Sequence, residues 1–358
     1  MSPQNSADVN PQMVTLARLS RGLTQTALAN QMNIAQGTIS KIEAGSLVAD
    51  ESTARSLGDV LRYPLSFFYT RDALDGPSTV EFFHERRRKS AGSSVLSKAY
   101  ATATIRRLHI QRLLAAAEDT SSNFPYLPRS EFGDPARIAR TVRAHWELPM
   151  GPVYSITEAI ESAGGIVVEC QFESRHIDGF SRWKRPNLPP LVFMSRDLPP
   201  DRWRWTMAHE LGHLIMHTGE MPAEDMEQEA DSFAEEFLMP ANVIKPQLGN
   251  AKFETLARLK LHWKVSVQAL IQRAYHLEIV TARQRSHMFM QWTKAGYRLR
   301  EPADLDPPRE PPRAMAKLVE FHLSDLAYTE QDLAEFLGLE PEEFQATYME
   351  GTHLRRIK

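Results

Sequence analysis

The stretch RWTMAHELGHLIMH (residues 204–217), followed by EQEADSFAEEFLMP (227–240), decides how this sequence is read. Apolar residues recur at helical spacing through both. One helix is predicted to begin near Asp201 and a second to run from Glu224 to Met239, where Pro240 stops it. Residues four apart in an α-helix differ by about 40° around the axis, so His209 and His213 project from one face. Two neutral imidazoles at that spacing can share one metal ion. Glu210 lies about 100° from His209, too far round to be the natural third ligand but well placed to take a proton from water. HExxH arises by chance in a chain of this size at a level of roughly a few per cent, so a third ligand is needed from another element.

The second helix offers one. Met226, Ala230, Phe233, Ala234, Phe237 and Leu238 form its buried stripe. Glu227 lies about 60° from the centre of that stripe, Glu229 about 100° away on the opposite flank, and Glu235 on the far side. Glu227 is therefore the carboxylate best placed to reach the histidines, with Glu229 a weaker alternative. Asp231, one turn further on the same side, can accept a hydrogen bond from the other nitrogen of a ligand histidine. Glu224, Asp225, Glu229, Glu235 and Glu236 read more simply as a solvated face that complements the helix dipole. His217 continues the histidine stripe and reads as a surface or rim residue, with a role near substrate as the alternative. The three-histidine pattern HExxHxxGxxH is not met, because Met216 takes the glycine position.

These paired segments, with DGFSRW and PPLVFMS before them, closely resemble the ImmA/IrrE metallopeptidases over roughly residues 140–280. The resemblance implies a compact zincin-like fold in which His209, His213 and Glu227 hold zinc and Glu210 is the catalytic base. It also implies cleavage of a peptide bond in a regulatory protein, often a helix-turn-helix repressor. Zinc in such a site makes water more acidic, and Glu210 takes its proton and returns it to the leaving amine.

The chain opens differently. LTQTALANQMNIAQGTISKIEAGS (23–46) fits two short helices joined by a tight turn. Thr24 is a natural N-cap, Ala27, Leu28, Met32, Ile34, Ile39 and Ile42 supply the packing, and Asn33 and Gly45 suit the turn and the helix end. The second helix exposes Gln36, Thr38, Ser40 and Lys41 near its start, side chains that can reach bases or phosphate. Residues 12–68 resemble the Cro/repressor type of helix-turn-helix, also called the Xre family. That resemblance implies double-stranded DNA as a partner, Gln25 against phosphate, Gln36 against a base edge, and binding as a homodimer. Arg18, Arg21, Lys41, Arg55 and Arg62 are matched by Asp8, Glu43, Asp50, Glu51 and Asp59 over residues 1–70, so charge alone does not announce a DNA site. A small helical domain used only for protein contacts is the competing reading.

The remaining sequence organises around these two regions. At 358 residues, 42% hydrophobic and 24% charged, the chain has the composition and length of a multidomain globular protein. Its net charge of −3 gives no global attraction to nucleic acid. Cys170 stands alone, which excludes an intrachain disulfide and a thiolate zinc cluster. With neither a secretory leader nor an apolar run long enough for a span, the expectation is a cytoplasmic protein without membrane contact. VYSITEAIESAG reads as a helix, GIVVEC and LPPLVFMSRDLPP as containing strands, and EPADLDPPREPPR as a loop or linker. A helix is predicted from Leu96 to Glu118, and two short helices close the chain.

The expected fold is α+β and mostly helical. A helix-turn-helix domain occupies 12–70 and a linker with a connecting helix 71–135. A zincin-like domain with a small sheet occupies 136–250 and a helical C-terminal region 251–358. The basic run HERRRKS (84–90) could add phosphate contacts. The leading reading is a DNA-binding regulator with a zinc endopeptidase domain. A non-enzymatic sensor built on the same domain, and self-cleavage within 71–95, are the alternatives.

Overall fold

A computed structural model of the chain describes residues 8–71, 92–116, 123–174, 176–182, 188–217, 223–249 and 252–349. HERRRKS and most of the 71–95 segment lie outside them. The helices named below, in chain order, are α1 (Pro11–Ser20), α2 (Gln25–Gln31), α3 (Gln36–Glu43), α4 (Glu51–Leu61), α5 (Ser93–Leu114), α6 (Pro135–His145), α7 (Ile156–Ser162), α8 (Pro200–Met216), α9 (Ala223–Leu238), α10 (Ala241–Leu248), α11 (Phe253–Trp263), α12 (Val267–His276), α13 (Ala282–Lys294), α14 (Ala314–Ser324), α15 (Glu330–Leu337) and α16 (Pro341–Phe344), with a single further turn of α-helix at Arg129–Phe132. Strands β1 (Ile166–Cys170), β2 (Gly179–Arg182) and β3 (Leu191–Ser195) form one sheet. The chain is α+β and mostly helical, as its patterning implies.

It divides into two compact units. The first unites α1–α5 with α14–α16. Its local geometry follows from sequence: Thr24 accepts from the Ala27 amide at 3.0 Å to start α2, and Asp50 caps α4 through the Thr53 amide at 2.8 Å. Asn33, with φ of 55°, turns the chain between α2 and α3. Met13, Val14, Ala17, Leu28, Ile39, Ile42, Leu57 and Leu61 share one core with Ile105 and Leu108 of α5 and with Leu333, Leu337, Phe344 and Tyr348. The region expected as a single helical C-terminal block, 251–358, therefore splits between the two units. The apolar stripes of α15 and α16 complete the core that the N-terminal helices leave open.

The second unit carries the sheet. β3 lies between β1, parallel to it, and β2, antiparallel to it, in the order β1-β3-β2. β1 and β3 are the strands that the apolar runs predict; β2 pairs Gly179 with Met194 and Arg182 with Leu191. Helix α8 packs across β2 and β3 and against α9.

Two expectations change here. The segment EPADLDPPREPPR is an anchored strap. Glu301 accepts from the Val267 amide at 3.0 Å and pairs with Lys260 at 2.9 Å. Glu310 accepts from the Ile156 amide at 2.8 Å and pairs with the buried Arg204 of α8. Burial pushes the Arg204 guanidinium down to about 10, and Glu310 lies against it as a counter-charge. Second, Glu235 and Glu236 are buried rather than solvated. Glu235 meets His276 Nδ1 at 2.8 Å, and Glu236 meets Arg140 at 3.0 Å and also Arg273. Helices α6 and α12 cover the acidic flank of α9 and bring the cations with them, which is how buried carboxylates are tolerated.

Candidate metal centre and nucleic-acid interface

Helix α8 is buried along nearly its whole length, so its histidine stripe faces protein and not water. His209 and His213 lie 5% and 4% exposed, with their Nε2 atoms 3.1 Å apart. Glu227 of α9 closes the group. Its carboxylate lies 3.3 Å from His213 Nε2 and 3.8 Å from His209 Nε2. Gly212 makes this approach possible. A Cβ built there would stand 3.3 Å from the Ala230 Cα and 3.2 Å from the Phe233 ring, so no larger residue lets the two helices come as close.

The chemistry of this donor set fits a cation. Asp231 lies 2.8 Å from His209 Nδ1, and a carboxylate can only accept, so the imidazole proton is on Nδ1. That leaves Nε2 as an electron-pair donor, facing a second imidazole nitrogen and a carboxylate. Three such donors within 4.8 Å of one another repel unless a positive ion lies among them. Two histidines and a carboxylate form a ligand set that zinc takes in sites which keep a position open for water or substrate.

Glu210 is 1% exposed and lies on the adjacent face of α8. Ser181 of β2 donates to its Oε2 at 2.9 Å and to its backbone carbonyl at 3.3 Å. Sequence reasoning missed Ser181, because a four-residue strand has too little alternation to be recognised.

His217 is a correction. It is buried, not at a rim, and its Nδ1 lies 2.9 Å from Nδ1 of His213. Glu229 is likewise neither solvated nor directed at the metal position: it meets His217 Nε2 at 2.9 Å and pairs with Arg129. The spacing 209, 213, 217 did signal a shared stripe, but the short helical segment Arg129–Phe132, whose Arg129 pairs with Glu229, is far away in sequence.

In the first unit, α2 and α3 present the residues singled out for DNA. Gln36 and Lys41 are exposed, Thr38, Ser40 and Gln25 partly so. Gln36 Nε2 donates to Gln25 Oε1 at 2.8 Å, and Gln25 Nε2 donates to Glu43 at 2.8 Å. Glu43 is held in turn by Arg18, at 2.6 Å. The two glutamines that the helix-turn-helix resemblance assigns to phosphate and base are thus braced against each other before any ligand arrives.

Residues 15–68 match a family model described as a helix-turn-helix, and residues 160–275 match one described as an IrrE N-terminal-like domain. No curated protein matches the chain significantly. The chain thus joins a DNA-binding helix-turn-helix domain to a protease-like domain of a metallopeptidase family, the fusion that its two motif sets imply. No helix among the described residues is long and apolar enough to cross a membrane.

Proposed function

We propose that this chain is a DNA-binding transcriptional regulator whose second unit is a zinc endopeptidase acting on another regulatory protein, of the helix-turn-helix repressor class. The observation that carries the peptidase reading is the convergence of His209 Nε2, His213 Nε2 and the Glu227 carboxylate beside a buried, hydrogen-bonded Glu210. Zinc held by those three side chains supplies Lewis acidity toward water and toward a scissile carbonyl. Glu210 takes the proton of the attacking water on its carboxylate, and the buried setting strengthens every charge interaction it makes. Ser181 keeps Oε2 oriented while that proton is held. Glu210 then returns the proton to the departing amine nitrogen, so the side chain ends as it began. On the other unit, the exposed start of α3 reads the major groove through Gln36, with Thr38, Ser40 and Lys41 beside it and Gln25 at the backbone.

The test uses the full chain. Wild type and Glu210→Gln are loaded with zinc, their metal content is measured, and each is incubated with candidate helix-turn-helix repressors. We expect equal zinc in both proteins and cleavage by wild type alone, with a rate loss in the variant of at least about 10²-fold. Undiminished cleavage by Glu210→Gln overturns the mechanism. Zinc uptake without cleavage of any repressor leaves the domain as a metal-dependent sensor.

A further inference from the structure

The two histidines of the metal centre differ in what holds their second nitrogen. His209 is anchored by Asp231, whose side chain is 57% exposed. His213 is anchored by another imidazole, and behind that stands a chain of partners, buried at His217 and Glu229 and ending at the exposed Arg129. His217 Nδ1 lies 2.9 Å from His213 Nδ1, His217 Nε2 lies 2.9 Å from Glu229, and Glu229 pairs with Arg129. The side chains of His217 and Glu229 are 1% and 6% exposed, so water does not substitute for these partners.

The polarity of this chain follows from its charged end and its metal end together. Glu229 pairs with Arg129, and a carboxylate only accepts, so the proton in the next contact comes from His217 Nε2. A metal ion on His213 Nε2 needs that atom's lone pair, which puts the His213 proton on Nδ1 and makes His217 Nδ1 the acceptor. The hydrogen in the middle contact therefore belongs to His213 Nδ1, and Nε2 is the atom facing His209 and Glu227. The reverse order would put the His213 proton on Nε2, where it would block a metal.

We propose that Arg129, Glu229 and His217 form a positioning chain for the metal ligand His213, fixing its tautomer and its ring plane. The inference rests on the reading of His209, His213 and Glu227 as a metal site. It adds that this site is completed by three residues beyond the ligands, one of them on the turn Arg129–Phe132. A histidine ligand is commonly held by a carboxylate directly; here an imidazole is inserted between ligand and carboxylate, so the fixed proton order spans two rings. Residues that hold a ligand's outer nitrogen typically change metal affinity by about 10–100-fold, and that is the effect assigned to His217.

Nitrogen-15 NMR of histidine-labelled, zinc-loaded full-length protein reads the tautomers directly. The expected result is a proton on Nδ1 of His213 and on Nε2 of His217. Chelator competition then compares wild type with His217→Ala and His217→Gln. Alanine should weaken zinc binding by about 10–100-fold. Glutamine, whose amide oxygen accepts and whose amide nitrogen donates in the same order, should recover most of that loss. Circular dichroism and melting of the metal-free proteins separate affinity from folding. If His217→Ala fails to fold, the wild-type tautomers and the glutamine variant decide. A wild type that takes up no zinc removes the metal-site reading itself. A wild type that binds zinc, with the His217 proton on Nδ1 or with affinity untouched in His217→Ala, overturns the positioning chain and leaves the metal site standing.

Discussion

Glu210 is a buried acid, and the Ser181 hydroxyl is one of the groups that hold its carboxylate. Ser181 spans from edge strand β2 to α8 and donates to both the Oε2 and the backbone carbonyl of Glu210. A hydrogen bond to a charged group is worth about 1.5–3 kcal/mol, and 1.4 kcal/mol is a factor of ten in rate. Replacing Ser181 by Ala should therefore lower kcat on a cleaved repressor by roughly 10-fold or more while zinc affinity stays at the wild-type value. Unchanged kcat, or zinc lost together with activity, would show that the hydroxyl does not orient the base. At this scale the convergence of His209, His213 and Glu227 was legible in outline, because helical angle places them on facing stripes, though it left Glu229 as an alternative. Ser181 was not, since its partner lies on a separate element 29 residues away. Glu229 and His217 were misread for a related reason. An angle around one helix says which side a residue faces, and nothing about whether another element covers that side.

The pairing of α8 with α9 depends on a position without a side chain. Gly212 faces Ala230 and Phe233 so closely that any Cβ must displace one of them, and the Ala230 contact is backbone, which cannot rotate away. Alanine at 212 gains about 1 kcal/mol of helix propensity. It forces an overpacked contact costing about 1–3 kcal/mol, so the net effect should be destabilising. The separation it imposes also moves Glu227 away from the histidines. The expected outcome for Gly212→Ala is a lower melting temperature without metal and weaker zinc binding, measured by calorimetry and chelator competition. A variant as stable and as tightly loaded as wild type would mean that the helices have room to spare. Long, strongly periodic elements such as α8 and α9, and the apolar strands β1 and β3, could be read from sequence. The strap at 301–313 could not, because Pro and charged residues read as solvent-facing loop, whereas Glu301 and Glu310 turn inward to serve as caps and counter-ions.

Across the whole molecule, chain order and spatial order part company. The apolar stripes of α15 and α16 predict helices well, yet nothing local in them says which core they complete; they join the unit that begins at α1. One consequence concerns pH. His109 of α5 is buried, its Nδ1 2.6 Å from the Tyr348 hydroxyl, and desolvation, with Arg106 and Arg112 nearby, holds it well below the usual histidine range. Neutral in the fold, it takes up a proton only on unfolding. Its contribution is full above pH ~6.5 and is lost as pH falls below that, by up to about 1.4 kcal/mol per pH unit. A His109→Gln variant should show a shallower loss of stability between about pH 6.5 and 5 in denaturant titrations, and an identical slope would remove His109 as the cause. The second consequence is that the DNA-binding unit needs the far end of the chain. Leu333, Leu337, Phe344 and Tyr348 lie at 6% exposure or less in its core, and Glu343 holds Arg21 at 2.7 Å. Each buried side chain of this size contributes about 1.5–3 kcal/mol, so losing four removes stability comparable with the 5–15 kcal/mol of a whole domain. A fragment ending at Arg313 should therefore lose its DNA-binding unit while α8 and α9, which belong to the other unit, still hold zinc. Selection from random duplex DNA, run beside zinc stoichiometry on the same fragment, measures both. Recovery of the same duplexes by fragment and full chain would show that α1–α5 stand without the C-terminal helices.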